Sequence, residues 1–173
     1  MKVWQRIMGV TLLLTSVVTG AADIPLGSVP VSINLTNLPR ITIEKPGGGW
    51  YDTLVLSNSA GSDITRYQVQ APVQVSIRNE RDFKVSLVEP LVLTHETDAS
   101  LAFTTEQVAF GLQGSALQTL GATPVDFSNP ALIGDTSTGN YWLSIAAHQP
   151  VGTTGTIAGN YSGKLILLFE VKI

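Results

Sequence analysis

The chain has 173 residues, of which 44% are apolar and 13% charged, and 10 basic against 13 acidic side chains give a net charge of -3. So little charge, acidic in balance, offers no basic patch to hold nucleic acid. The absence of cysteine excludes disulfides, thiolate metal sites and a cysteine nucleophile, and leaves stability to burial and backbone pairing.

Lys2 and Arg6 precede an uncharged run from Ile7 to Val18, and the small residues Thr19, Gly20, Ala21 and Ala22 follow. Charged, apolar, then small is the order of a secretory signal peptide. The run is too short for a membrane anchor, which needs roughly 20 apolar residues. Residues 1–22 are therefore expected to be removed, with cleavage after Ala21 nearly as good, and export is expected to be of the unfolded chain. Loss of Lys2 and Arg6 moves the net charge from -3 to -5.

Beyond this segment the dominant signal is period-two alternation, the mark of half-buried strands. Val29, Val31, Ile33 and Leu35 alternate with polar residues and proline, fenced by Pro25, Gly27 and Pro39. This stretch reads either as an ordinary first strand or as an extended arm, residues 23–39, ahead of a domain at 40–173. Ile41 and Ile43 begin the next run, which Lys45-Pro46-Gly47-Gly48-Gly49 breaks. A short strand is expected over Leu54–Leu56. The longest alternation runs from Tyr67 to Ile77, and Pro72 in its middle predicts an edge position or a break.

Phe83, Val85 and Leu87 form a further strand, stopped by Pro90. Strands are expected at 101–103, 108–112 and 125–127, with a helical turn as an alternative within 106–121. Tyr141, Leu143, Ile145 and Ala147 alternate again, and a loop rich in glycine and threonine spans 149–163. Leu165, Leu167, Phe169, Val171 and Ile173 close the chain, with Ile166 and Leu168 on the opposite face. Such a strand is too apolar for a solvent-facing edge and needs a cover. Short strands with turn signals between them predict one all-β sandwich domain.

No chemistry-bearing constellation stands out. His95-Glu96-Thr97-Asp98 has no metal-ligand spacing and reads as a solvated loop, and His148 has no evident partner. Ser115 lacks the nucleophile elbow, and Gly47–Gly49 precedes neither lysine nor helix. Asn34-Leu35-Thr36 and Asn160-Tyr161-Ser162 are formal glycosylation sequons in strand or turn settings. Trp50, Tyr51, Tyr141 and Trp142 read as core or rim, with a sugar platform as the alternative. No paired carboxylates support glycan hydrolysis. No metal, cofactor or enzymatic activity is expected.

Ala158-Gly159-Asn160-Tyr161-Ser162-Gly163, followed by an alternating terminal strand, resembles the major subunits of alternate chaperone–usher pili, the colonisation-factor-antigen type of fimbria. Val29-Pro30-Val31-Ser32-Ile33-Asn34-Leu35, Arg66-Tyr67-Gln68-Val69, Phe83-Lys84-Val85-Ser86-Leu87 and Leu143-Ser144-Ile145-Ala146-Ala147 match that family in order. The resemblance implies an immunoglobulin-like sandwich lacking its final strand, completed by the arm of a neighbouring subunit. Val29, Val31, Ile33 and Leu35 would then be donor side chains, and Leu165, Leu167, Phe169 and Val171 a wall of the acceptor groove. The implied partners are other pilins, a periplasmic chaperone, an outer-membrane usher and a tip adhesin. The implied location is the bacterial surface, reached through the periplasm, and the implied role is in adhesion to host surfaces. A secreted monomeric binding module, or a minor or tip subunit of such a pilus, is the alternative.

Overall fold

The alternating stretches fold as strands wherever a partner strand lies alongside. The computed structural model describes residues 40–58 and 63–173. The expected signal peptide and arm lie outside the described residues, and with them Val29, Val31, Ile33 and Leu35. Ten strands follow in order: β1 (Arg40–Glu44), β2 (Arg66–Arg78), β3 (Asp82–Leu87), β4 (Leu93–His95), β5 (Ala102–Leu112), β6 (Gln118–Thr119), β7 (Val125–Ser128), β8 (Thr136–His148), β9 (Tyr161–Ser162) and β10 (Leu167–Val171). One helical turn, α1 (Thr154–Ile157), interrupts the glycine–threonine loop.

The strands form two antiparallel sheets. The larger runs β1-β2-β8-β5-β4-β9, with β6 also on β5, and the smaller runs β10-β3-β7. Their inner faces meet in one core: Val73, Val75 and Ile77 of β2, Phe110 of β5 and Tyr141, Leu143 and Ile145 of β8 pack against Phe83, Val85 and Phe127 of the smaller sheet. Two apolar sheet faces closed on each other make an immunoglobulin-like sandwich. Phe110 and Tyr141 stack at 4.9 Å between centroids, and Phe83 meets Tyr141 edge-on at 5.5 Å. Such ring pairs add about 0.5–1.5 kcal/mol each beyond their burial.

A polar knot closes one end of the core. Asn129 is fully buried, and its Nδ2 donates to the carbonyls of Val75 and Ser137 at 3.1 and 3.3 Å and to Ser137 Oγ at 3.1 Å. The Tyr141 hydroxyl donates to Asn129 Oδ1 at 2.8 Å. Burial holds the Tyr141 phenol above its ordinary range, so it stays a neutral donor.

Of three local expectations one holds and two are corrected: first, Pro72 takes the edge position rather than making a break. β2 runs unbroken through Pro72, which pairs with Trp142. Gln149 N–H donating to the Thr65 carbonyl fixes which residues of β2 bond to β8: the odd-numbered ones. Pro72 therefore directs its missing donor to the other side, where β1 has already ended at Glu44↔Gln74. The Tyr51 hydroxyl caps the Pro72 carbonyl there at 2.8 Å. Second, Ala102–Leu112 is one strand carrying a register shift between Thr105 and Gln107, with no helical turn in it. Third, Leu54–Leu56 forms no ladder, and only Ser57, bridged to Gln68, ties that segment to the sheet.

Candidate functional site

Among the described residues the last strand has a partner on one side alone. β10 pairs with β3 on one side, from Leu167↔Leu87 to Val171↔Phe83. Val88 N–H donates to the Ile166 carbonyl and Lys172 N–H to the Asp82 carbonyl. In an antiparallel ladder a residue turns both backbone groups to the same side, alternating along the strand. The even-numbered residues therefore bond to β3, and Leu167, Phe169 and Val171 direct N–H and C=O away from it. No described strand pairs with that side of β10.

Beside this edge lies an open groove of about 920 Å³. Leu165, Leu167 and Phe169 line one wall. The 50–56 segment forms the other, with Leu54 and Leu56 inside and Trp50 43% exposed at the rim. Tyr67, Leu91, Leu93, Phe103, Leu143 and Ile145 supply the floor. Apolar side chains facing an unfilled slot forgo both burial and packing. Val171 is placed differently from its three companions. It packs partly buried on the core opposite Phe83 and is not part of the groove lining.

The Gly159–Gly163 element forms one end of the groove for steric reasons. A side chain at Gly159 would fall on the His95 ring, and one at Gly163 on the Val92 carbonyl. That close approach lets β9 pair with β4 through Thr94↔Ser162 and His95↔Tyr161. The Tyr161 ring then meets Phe103 at 4.8 Å and His95 at 4.9 Å, and its hydroxyl donates to the Ile157 carbonyl at 2.8 Å. The 95–98 loop is built around His95 Nδ1, which accepts from the amides of Thr97 and Asp98. Among the described residues no three potential metal ligands gather.

His148 does have partners, contrary to the expectation from sequence. Its Nε2 lies 3.4 Å from Glu106 Oε2 and its Nδ1 3.9 Å from Asp63 Oδ2. Arg66 Nε binds Glu106 at 2.5 Å. The Arg66 hydrogen bond holds the Glu106 carboxyl below its ordinary value of 4.5, and hydrogen bonds from Thr65 hold Asp63 below 3.8. Asp135 is lowered by Thr136 and then Arg78, and Asp98 by Ser100. Groups lowered on folding stabilise the fold above their unfolded values and lose that contribution as pH falls through the folded ones. Thermal midpoints are thus expected to drop between about pH 5 and pH 3, modestly because these groups are exposed. An unchanged midpoint would show that the pairs contribute nothing. The four aromatics weighed as a platform do not converge: Tyr141 is core, Trp142 is half-buried on the outer face, and Trp50 and Tyr51 meet at 5.8 Å by the groove.

The structure thus brings Leu165, Leu167 and Phe169 together, while the other walls come from places the sequence reading did not assign: Leu54, Leu56, Tyr67, Leu91, Leu93 and Phe103. Leu54, Leu56, Tyr67 and Phe103 fall in stretches that read as strands, but nothing in those stretches marks them as groove lining, and Leu91 and Leu93 carry no such signal.

No protein-family model matches the sequence, and no curated protein matches it. Solved structures do. The chain is similar to the CooA pilin subunit from enterotoxigenic Escherichia coli, with 17% identity and a TM-score of 0.57, over 76% of this chain and 86% of that one. That likeness shows a shared fold. A structure described as a chaperone–tip adhesin complex in the biogenesis of CFA/I fimbriae aligns at 16% identity and a TM-score of 0.44, over 76% of this chain and 42% of that one.

Proposed function

We propose that this protein is a structural subunit of a bacterial surface fimbria that polymerises by donor-strand exchange. The observation that carries the reading is the apolar groove along β10, whose Leu167, Phe169 and Val171 backbone groups face no strand among the described residues. Strand addition suits such a place: main-chain hydrogen bonds adhere, and alternate side chains fill the slot. The arm 23–39 carries side chains of that spacing, Val29, Val31, Ile33 and Leu35. Burying four of them contributes roughly 6–12 kcal/mol gross, reduced by ordering the arm and by lost rotational freedom. The prolines of the arm shrink its unbound ensemble.

In this reading the signal peptide directs export, a periplasmic chaperone covers the groove first, and an outer-membrane usher replaces it with the arm of the next subunit. Other pilins and a tip adhesin complete the fibre, which supports adhesion. The role is structural, with no catalysis. The fold likeness to a pilin supports this assignment, as do the Gly-Asn-Tyr-Ser-Gly element and the arm.

Deleting the arm through Leu35 tests it. The truncated subunit is expected to co-purify with the chaperone yet form no fibres by electron microscopy. Normal fibres from the truncated subunit would overturn strand exchange. A full-length protein that is a stable monomer would favour the secreted binding module instead.

A further inference from the structure

The outer face of the larger sheet differs in chemistry from that of the smaller one. On the smaller sheet the outward register carries charge, Glu170↔Lys84↔Asp126, and Lys172 Nζ binds Asp126 at 3.0 Å. On the larger sheet the outward positions of β2 from Gln68 to Ser76, of β8 from Thr138 to Ala146 and of β5 from Gln107 to Gly111 are uncharged. Among the described residues the ion pairs of this face stand at its two ends, Arg66–Glu106 and Arg78–Asp135, and further charge, Arg40 and Glu44, lies on the β1 edge beside Arg78 and Gln74.

Within this face lies a notch of about 450 Å³, to which Gln68, Gln70, Gln107 and Ser144 contribute. Among the described residues that line it the one cation is already paired: Arg66 binds Glu106 and also donates to Gln68 Oε1. The Gln68 amide is thereby oriented with its NH2 group turned from Arg66, and among the described residues that group makes no hydrogen bond. Among the described residues the side chains of Gln70, Gln107 and Ser144 make no hydrogen bond. Each terminal amide offers two donors and an acceptor, and serine offers both roles. Trp142 sits half-buried one outward position beyond Ser144, between Pro72 and Gly111 in register, and is not part of the notch lining.

We infer that this notch binds a neutral saccharide. Clustered amides and a hydroxyl, free of net charge, match the vicinal hydroxyls of a sugar, each of which both donates and accepts. Val55 and Val69 also line the notch and offer apolar surface to the C–H face of a ring. The volume lies within the range of small-ligand sites. An anionic ligand would meet a guanidinium already neutralised. An added peptide strand would meet Pro72, which has no N–H and whose carbonyl already accepts from Tyr51. The inference is independent of the groove and of strand exchange.

The test uses the full-length exported protein with lactose, cellobiose and chitobiose as probes and 3′-sialyllactose as the charged comparison. Saturation-transfer NMR is expected to show contact with at least one neutral disaccharide at about 10 mM or below, an affinity within reach of a few hydrogen bonds. Gln70→Leu and Ser144→Leu are expected to weaken it at least about tenfold, the loss of one such bond. Gln74→Leu, on the same face outside the notch, is expected to leave it unchanged. Three results would each overturn the inference: no neutral disaccharide bound, equal loss in Gln74→Leu, or stronger binding of the sialylated probe.

Discussion

A copy of Gly27–Thr36 appended after Ile173, with the native arm removed, is expected to turn the subunit into a soluble monomer that unfolds cooperatively. β10 ends at Val171, so a flexible linker of roughly 4–6 residues suffices to turn the chain back antiparallel. The grafted strand then meets the free N–H and C=O groups of Leu167, Phe169 and Val171. Its apolar side chains enter the slot between β10 and the 50–56 segment. The gross gain, roughly 6–12 kcal/mol, is of the order of a whole domain's stability. Supplied in cis, the strand escapes the loss of translational freedom that an incoming arm suffers. Ile33→Asp in the graft is expected to remove much of the gain, because a carboxylate would be buried with no partner. Val29 lies nearer the free end of the native arm and is expected to tolerate substitution better. Urea melts of the graft, its Ile33→Asp variant and the ungrafted truncation decide the matter. Coincident midpoints in all three would mean that the groove does not take this strand.

The second large effect is expected at Asn129. Leucine is close to asparagine in size but supplies none of its bonds. Asn129→Leu would strip the Nδ2 donor from the Val75 and Ser137 carbonyls and the Oδ1 acceptor from the Tyr141 hydroxyl. That hydroxyl keeps one weaker outlet, the Ser128 carbonyl at 3.1 Å. Lost bonds at about 1 kcal/mol each, with unpaired groups left in a dry interior, sum to about 3 kcal/mol. For a domain of this size the thermal midpoint is expected to fall by about 10 °C. Asn140→Leu makes the comparison, since Asn140 is exposed and its contact with Gln74 is long at 3.4 Å. It is expected to change stability by less than about 0.5 kcal/mol. Equal losses in the two variants would show that the knot contributes no more than a surface contact.

How far the sequence carries depends on the length and phase of each element. Alternation finds β2, β3, β8 and β10 because each keeps one face to the core over five or more residues. It divides β5 in two because the shift between Thr105 and Gln107 changes which parity points inward: Phe103 before it, Val108 and Phe110 after. It misses β4, β6 and β9, whose two or three residues are too few to show a period. Leu54 and Leu56 alternate like a strand, yet the neighbour that would make them one is absent from the described residues. Of the groove, the C-terminal wall is legible as a strand too apolar for its place. The floor, drawn from Tyr67, Leu91, Leu93, Phe103, Leu143 and Ile145, belongs to no single period. His148 looked isolated because Glu106 and Asp63 reach it only through the fold.

The backbone phase of β10 has an isotopic consequence. Amide protons bonded to β3, those of Leu168, Glu170 and Lys172, are shielded from exchange with solvent deuterium. Those of Leu167, Phe169 and Val171 are open to it wherever the groove stands empty. A vacant subunit would thus carry an alternating pattern of slow and fast exchange along the six residues from Leu167 to Lys172, a signature that fraying alone does not produce. Occupation by a strand of any origin would slow the fast members and leave the slow ones nearly unchanged. The alternation is therefore a gauge of how many grooves in a population are filled, readable without knowing what fills them.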